Sequence, residues 1–269
     1  TLTLTGTHTF TGTTVVNAGT LLVGAGSTAG SMSSASNVYL PFSTANYSVS
    51  RSDNLSMGAV VKGVGVFEKL GGNTLTLTGS SLNAVFNIDG GTLVAENDVP
   101  SVTSSNFSGP GALTIQSAGT SFSSAFTMPS ATFGSTLGGL TIGKSSNSVN
   151  VTIGSAVSIA GPFTAYGGAV ALNSNITGTN INVTGSSINE ASGVVVTSSG
   201  GNNITFSADS MTLAGTLNGT GILTLQPKTT GATLGLGTGA TGTLNIASAW
   251  FNNSVVKDGF SSVVLGNSS

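Results

Sequence analysis

Leu2-Thr3-Leu4-Thr5-Gly6, followed by Phe10 and by Val16-Asn17-Ala18-Gly19-Thr20-Leu21-Leu22-Val23, returns in order as Leu75-Thr76-Leu77-Thr78-Gly79, Val85-Phe86 and Ile88-Asp89-Gly90-Gly91-Thr92-Leu93-Val94-Ala95. Each copy alternates apolar and polar residues over a few positions and breaks at glycine, the pattern of a short strand closed by a turn. The cadence continues in Ala112-Leu113-Thr114-Ile115, Leu140-Thr141-Ile142-Gly143 and Val151-Thr152-Ile153-Gly154. It returns with a different accent in Val170-Ala171-Leu172, Ile181-Asn182-Val183, Ile204-Thr205-Phe206 and Leu213-Ala214-Gly215-Thr216-Leu217. Runs this short offer only two or three inward side chains each and cannot form a core alone.

Stacking the runs on one another supplies the missing neighbours. Coils about 4.8 Å apart align aliphatic residues inside and leave Thr, Ser and Asn in hydrogen-bonded ladders outside. The sequence therefore predicts an all-β chain folded as a β-solenoid. A β-sandwich is the alternative; it accounts for the alternation but gives no reason for a repeated unit, nor for so few charges on so many edges. At roughly 20 to 25 residues per coil the chain makes on the order of eleven coils and a rod some 50 to 60 Å long.

Six Lys and Arg and eight Asp and Glu stand among 269 residues, whereas an ordinary domain is roughly one quarter charged. Arg51, Lys62, Lys69, Lys144, Lys228 and Lys257 are scattered, and a net charge of -2 gives no footprint for a phosphate backbone, so nucleic acid is excluded as a partner. No basic amphipathic stretch is present and no apolar run approaches roughly 18 residues, so this segment does not insert into a membrane. The absence of cysteine removes disulfides and thiolate metal sites. Disorder is excluded by a hydrophobic fraction of 38% and a mean hydropathy of +0.35, arranged in a pattern that can be buried.

The first residues already read as a strand in mid-course, so residues 1–269 are expected to be one solenoid fragment of a longer exported protein. Residues 36–70 concentrate Tyr39, Pro41, Phe42, Tyr47, Arg51, Asp53, Lys62, Phe67, Glu68 and Lys69, and read as strand-rich with a loop-rich insertion. Residues 97–110 and 128–136 carry Pro100, Pro110 and Pro129 as turn signals, each stretch a bulge from one wall.

Catalytic chemistry finds little to stand on. A general acid and base need two tuned ionisable groups at one place. Of Asp53, Glu68, Asp89, Glu96, Asp98, Glu190, Asp209 and Asp258, only Glu96 and Asp98 are close in sequence, and they read as a solvated turn before Pro100. Asp53 or Glu68 stacked above Asp89 is the other arrangement open to these residues. His8 is the sole histidine and reads as a polar outward residue, without the partners of a metal site or a serine triad. Gly235, Gly237 and Gly239 suggest a phosphate loop, but no helix follows them.

Asn54-Leu55-Ser56, Asn150-Val151-Thr152, Asn182-Val183-Thr184 and Asn203-Ile204-Thr205 have the form of glycosylation sites and read as ladder residues. Thr1-Leu2-Thr3-Leu4-Thr5 and Thr74-Leu75-Thr76-Leu77-Thr78 raise the idea of an ice-binding hydroxyl face. It is set aside because the threonine pairs change position between coils. No catalytic, cofactor-binding or metal-binding residue, and no cofactor, is assigned.

The opening stretch, Leu2 to Gly6 with Phe10-Thr11-Gly12 and Val16-Asn17-Ala18-Gly19-Thr20-Leu21, resembles the autotransporter-associated β-strand repeat. Gly139-Leu140-Thr141-Ile142-Gly143-Lys144, Ser158-Ile159-Ala160-Gly161-Pro162-Phe163, Leu213 to Gly221, Leu223-Thr224-Leu225-Gln226-Pro227 and Asp258 to Gly266 are similar to repeats of filamentous-haemagglutinin-like large exoproteins. The resemblance implies a right-handed parallel β-helix within a long adhesin or exoprotein, secreted to the surface of a Gram-negative cell, and it brings no catalytic residue.

The expected function is a structural and adhesive rod that meets an unknown surface receptor or glycan through its wall or the 36–70 stretch. Alternatives are a filament subunit that associates end to end or by strand addition, and a carbohydrate-active β-helix enzyme, which the scarcity of clustered charge disfavours.

Overall fold

The computed structural model describes residues 1–33, 36–98, 101–102, 104–128 and 130–266. The chain is all-β, with parallel sheets stacked as a β-solenoid of about 11 turns. Sandwich geometry is ruled out because hydrogen-bonded neighbours are parallel strands from successive coils. Two compact units are present, one of Thr1–Gly119 with Pro129–Thr141, the other of Thr120–Met128 with Ile142–Ser269.

In the first unit one wall stacks Leu2–Leu4, Gly19–Ser27, Ala45–Arg51, Val61–Leu70, Leu82–Ile88, Asn106–Ser108 and Thr132–Phe133 in that order. A second wall stacks Leu55–Met57, Thr74–Leu77, Thr92–Glu96 and Ala112–Gln116. The alternation works as the sequence indicates: in Thr74–Leu77 the threonines are half-exposed while Leu75 and Leu77 are fully buried. Register then places Leu75 under Leu93 and Leu93 under Leu113, an unbroken leucine column.

On the first wall the inward column is aromatic. Tyr47, Phe67, Phe86, Phe107 and Phe133 pair in register along the axis. Their ring centroids lie 5.3, 5.5, 5.0 and 5.9 Å apart in turn. These spacings suit offset and tilted ring contacts, which add to the gain from burial alone. The Tyr47 hydroxyl, sealed in the core, donates to Met32 Sδ at 2.9 Å, and its burial pushes the phenol pKa upward.

The 36–70 stretch is strand-rich, as its sequence indicates. It forms four strands, Val38–Leu40, Ala45–Arg51, Leu55–Met57 and Val61–Leu70, which carry Tyr39, Tyr47, Arg51, Lys62, Phe67, Glu68 and Lys69, while Phe42 and Asp53 lie in the bends between them. Val61–Leu70 bends as it passes from a third wall, where it lies on Val38–Leu40, to the aromatic wall, and register shifts between Lys62 and Val66. Gly63 makes the bend: its φ is 126°, and a Cβ there would lie 2.0 Å from the Leu40 carbonyl oxygen. Gly63→Ala is expected to cost about 3 kcal/mol from backbone strain and overpacking together. Gly12→Ala, with nothing within 4 Å of the new methyl, should be near neutral. Urea unfolding of both variants checks this, and equal midpoints would contradict it.

In the second unit three strands make each coil. Phe163–Tyr166, Ala169–Leu172 and Ile176–Gly178 are followed by Ile181–Thr184, Ser187–Glu190 and Val195–Ser198, then by Ile204–Ser207, Ser210–Leu213 and Thr216–Asn218. Phe163 pairs with Ile181, Ile181 with Ile204, and Ile204 with Leu223, steps of 18, 23 and 19 residues. The next step, Leu223 to Val263, takes 40 residues. The extra length holds the parallel pair Leu234–Leu236 and Leu244–Ile246 and a short 3-10 turn, Ser248–Phe251.

The 97–110 and 128–136 stretches, expected as bulges, contribute the short wall strands Asn106–Ser108 and Thr132–Phe133. Pro100 and Pro129 lie outside the described residues.

Candidate functional site

The carboxylates weighed from sequence do not converge. Glu96 accepts a hydrogen bond from Gln116 Nε2 at 2.7 Å, in register across the wall, while Asp98 is exposed in the turn beyond. Glu68 stands in the column Ser48, Glu68, Asn87 and accepts from Ser48 Oγ at 2.7 Å, so neither Asp53 nor Asp89 stacks on it. Asp53 takes a bidentate contact from Arg51, Nε to Oδ1 and Nη2 to Oδ2, both at 2.8 Å, and this hydrogen bonding lowers its pKa. Among the described residues no three of His, Asp and Glu gather as metal ligands.

His8 corrects its expectation. It is half-buried, with Nε2 shielded from water and without a hydrogen-bond partner. Gly235, Gly237 and Gly239 lie in and after the strand Leu234–Leu236, and the next element is the strand Leu244–Ile246.

The Asn-x-Ser/Thr triplets have a structural role at coil corners. Asn54 Oδ1 accepts from Thr74 N, Asn150 Oδ1 from Ala169 N, and Asn203 Oδ1 from Ile222 N, each at 2.9 Å. Each amide thus satisfies a main-chain donor of the following coil at a place where the sheet ladder is interrupted. Asn182 lies within a strand, in the column Thr164, Asn182, Thr205. The threonine pairs do shift between coils: Thr3 stacks on Leu22, whereas Thr74 stacks under Thr92.

Two ionisable groups inside the solenoid escaped the sequence reading. Lys69 lies inward between Val49 and Ile88 and is 1% exposed. Its Nζ donates to Gly71 O, Gly90 O and Asn73 Oδ1 at 2.5, 2.9 and 2.9 Å, and burial lowers its pKa to about 8. Glu190 lies inward in the column Ile153, Leu172, Glu190, Leu213. Its Oε2 accepts from Gly215 N at 3.2 Å while Oε1 is buried without a partner, and burial pushes its pKa up to about 7 against the opposing pull of the Gly215 and Thr216 amides. The signal was present in both cases, since each sits two positions after an inward aromatic or aliphatic residue, Phe67 and Ile188.

Outside, the third wall of the first unit carries a groove. Register aligns Val15, Tyr39, Lys62 and Asn83 in one outward column, all exposed. Thr13, Asn37 and Val60 flank them two positions earlier, and a groove of about 250 Å³ opens between, lined by Thr13, Asn37, Val38, Tyr39, Val60 and Lys62. Asn37 Oδ1 accepts from Val60 N at 3.1 Å, which ties two of the groove's lining residues together. The Lys62 ammonium makes no hydrogen bond or ion pair with a described residue.

Comparison with family models, curated proteins and solved structures gave no match. The site is therefore read from its geometry alone.

Proposed function

We propose that the chain is a non-catalytic structural and adhesive segment of a secreted or surface-exposed bacterial fibre, of the kind its Gly/Thr/Leu phrases resemble. The observation that carries this reading is the stacking of coil on coil through parallel ladders around an apolar interior, with Arg51–Asp53 the one ion pair among the described residues. Stability of this kind depends on main-chain hydrogen bonds and burial, and little of it is screened by salt. Such a stack suits a spacer that must hold its length between a cell and its target.

Pulling on single molecules from end to end tests it. Coils of 18 to 23 residues should release chain in discrete steps of about 60 to 80 Å, at roughly 3.3 to 3.6 Å per residue. A smooth extension without force steps, as from a loosely collapsed chain, would remove the mechanical reading.

A further inference from the structure

We infer that the groove between Tyr39 and Lys62 binds an acidic saccharide, a six-membered sugar ring carrying a carboxylate. This rests on the adhesive reading above and gives it a ligand class.

Three features of the groove define the ligand. Tyr39 is 45% exposed, and an aromatic face, electron-rich at its centre, takes the C–H-bearing face of a pyranose. Lys62 is the next residue in the same column, one coil on, so its backbone lies about 4.8 Å from that of Tyr39 and both side chains leave the same face. An unpaired lysine is a point charge suited to a carboxylate carried by a ring that rests on the tyrosine. Thr13 and Asn37 line the same groove and offer a hydroxyl and an amide to ring hydroxyls.

Local charge supports an anion. Within residues 13–15, 37–40, 60–64 and 81–83 Lys62 is the only charged side chain, although the chain as a whole is net negative. A peptide adding as a strand is disfavoured, because Val38–Leu40 already pairs on both sides, with Thr14–Val15 and with Val61–Leu70.

The test is titration of the whole chain, followed by NMR or calorimetry, with trigalacturonate, sialyllactose and neutral maltotriose. At least one acidic oligosaccharide should bind, and which one does identifies the source of the acid. Maltotriose should bind at least about tenfold more weakly, and Lys62→Gln and Tyr39→Ala should each weaken acidic binding by about tenfold or more, the scale of one charge-assisted contact. Lys228→Gln, an exposed lysine of the second unit, should leave binding unchanged. Both substituted positions are exposed, and circular dichroism confirms that each variant keeps its β-structure. Equal binding of acidic and neutral sugars, no response to Lys62→Gln, or no binding of either acidic sugar at millimolar concentration would overturn the site. Those results would leave the force steps intact; loss of the force steps with sugar binding retained would overturn the mechanical reading alone.

Discussion

Phe86→Ala is expected to destabilise the first unit by about 4 kcal/mol. Phe86 is fully buried at the middle of the aromatic column, with Phe67 at 5.5 Å on one side and Phe107 at 5.0 Å on the other. Alanine removes the ring's transfer energy, opens a cavity between stiff sheet walls that cannot close, and ends two ring contacts at once. Phe133→Ala should cost less, because Phe133 is 5% exposed and meets one ring of the column. Hydrogen exchange should accelerate in the flanking strands Val61–Leu70 and Asn106–Ser108 before it does so in strands further along, since each coil is stabilised by its neighbours. Urea unfolding that shifts by less than about 1 kcal/mol would mean the column is ornamental to stability.

The second large effect is a pH dependence that runs opposite to the usual carboxylate. Glu190 titrates near 7 in the folded chain, against an ordinary value of 4.5. Between these two values the folded state holds a proton that the unfolded state has lost, so stability falls as pH rises through that window and is flat above it. The loss amounts to about 3 kcal/mol on the scale of 1.36 kcal/mol per unit. No nearby charge offsets it. The strands paired with that of Glu190, Ala169–Leu172 and Ser210–Leu213, and the adjoining Ala191, Val194 and Gly215, bring no charged or titratable side chain. Glu190→Gln should flatten the profile, and subtracting its stability curve from that of the parent isolates the carboxyl from the other acids. A difference curve without slope between pH 4.5 and 7 would show that the carboxyl reaches water.

The sequence carried the architecture because the architecture is periodic. The two copies of the Leu-Thr-Leu-Thr-Gly phrase each span one coil: Leu2 stacks under Leu21, and Leu75 under Leu93. What the phrase does not specify is which wall it occupies, since the first copy begins on the aromatic wall and the second on the leucine wall. The alternation depends on backbone pleat, and any wall supplies that. In the 36–70 stretch the strands were legible but the roles of their aromatic residues were not. Tyr47, Phe67 and Lys69 look alien beside Gly, Thr and Leu, yet the first two are links in a ring column whose other members, Phe86 and Phe107, lie coils away. Such a column can be recognised only once register is known. The groove at Tyr39 and Lys62 was half legible: the stretch was marked for binding, but Thr13 joins it from a preceding coil.

The equivalence of Ile181, Ile204 and Leu223 along one column has a consequence for ancestry. A gene segment that encodes one such interval can be duplicated or dropped in frame, and the flanking residues meet a partner of the same kind as before. The number of coils is then a heritable quantity tuned by copy number, while each surface feature travels with its own short interval.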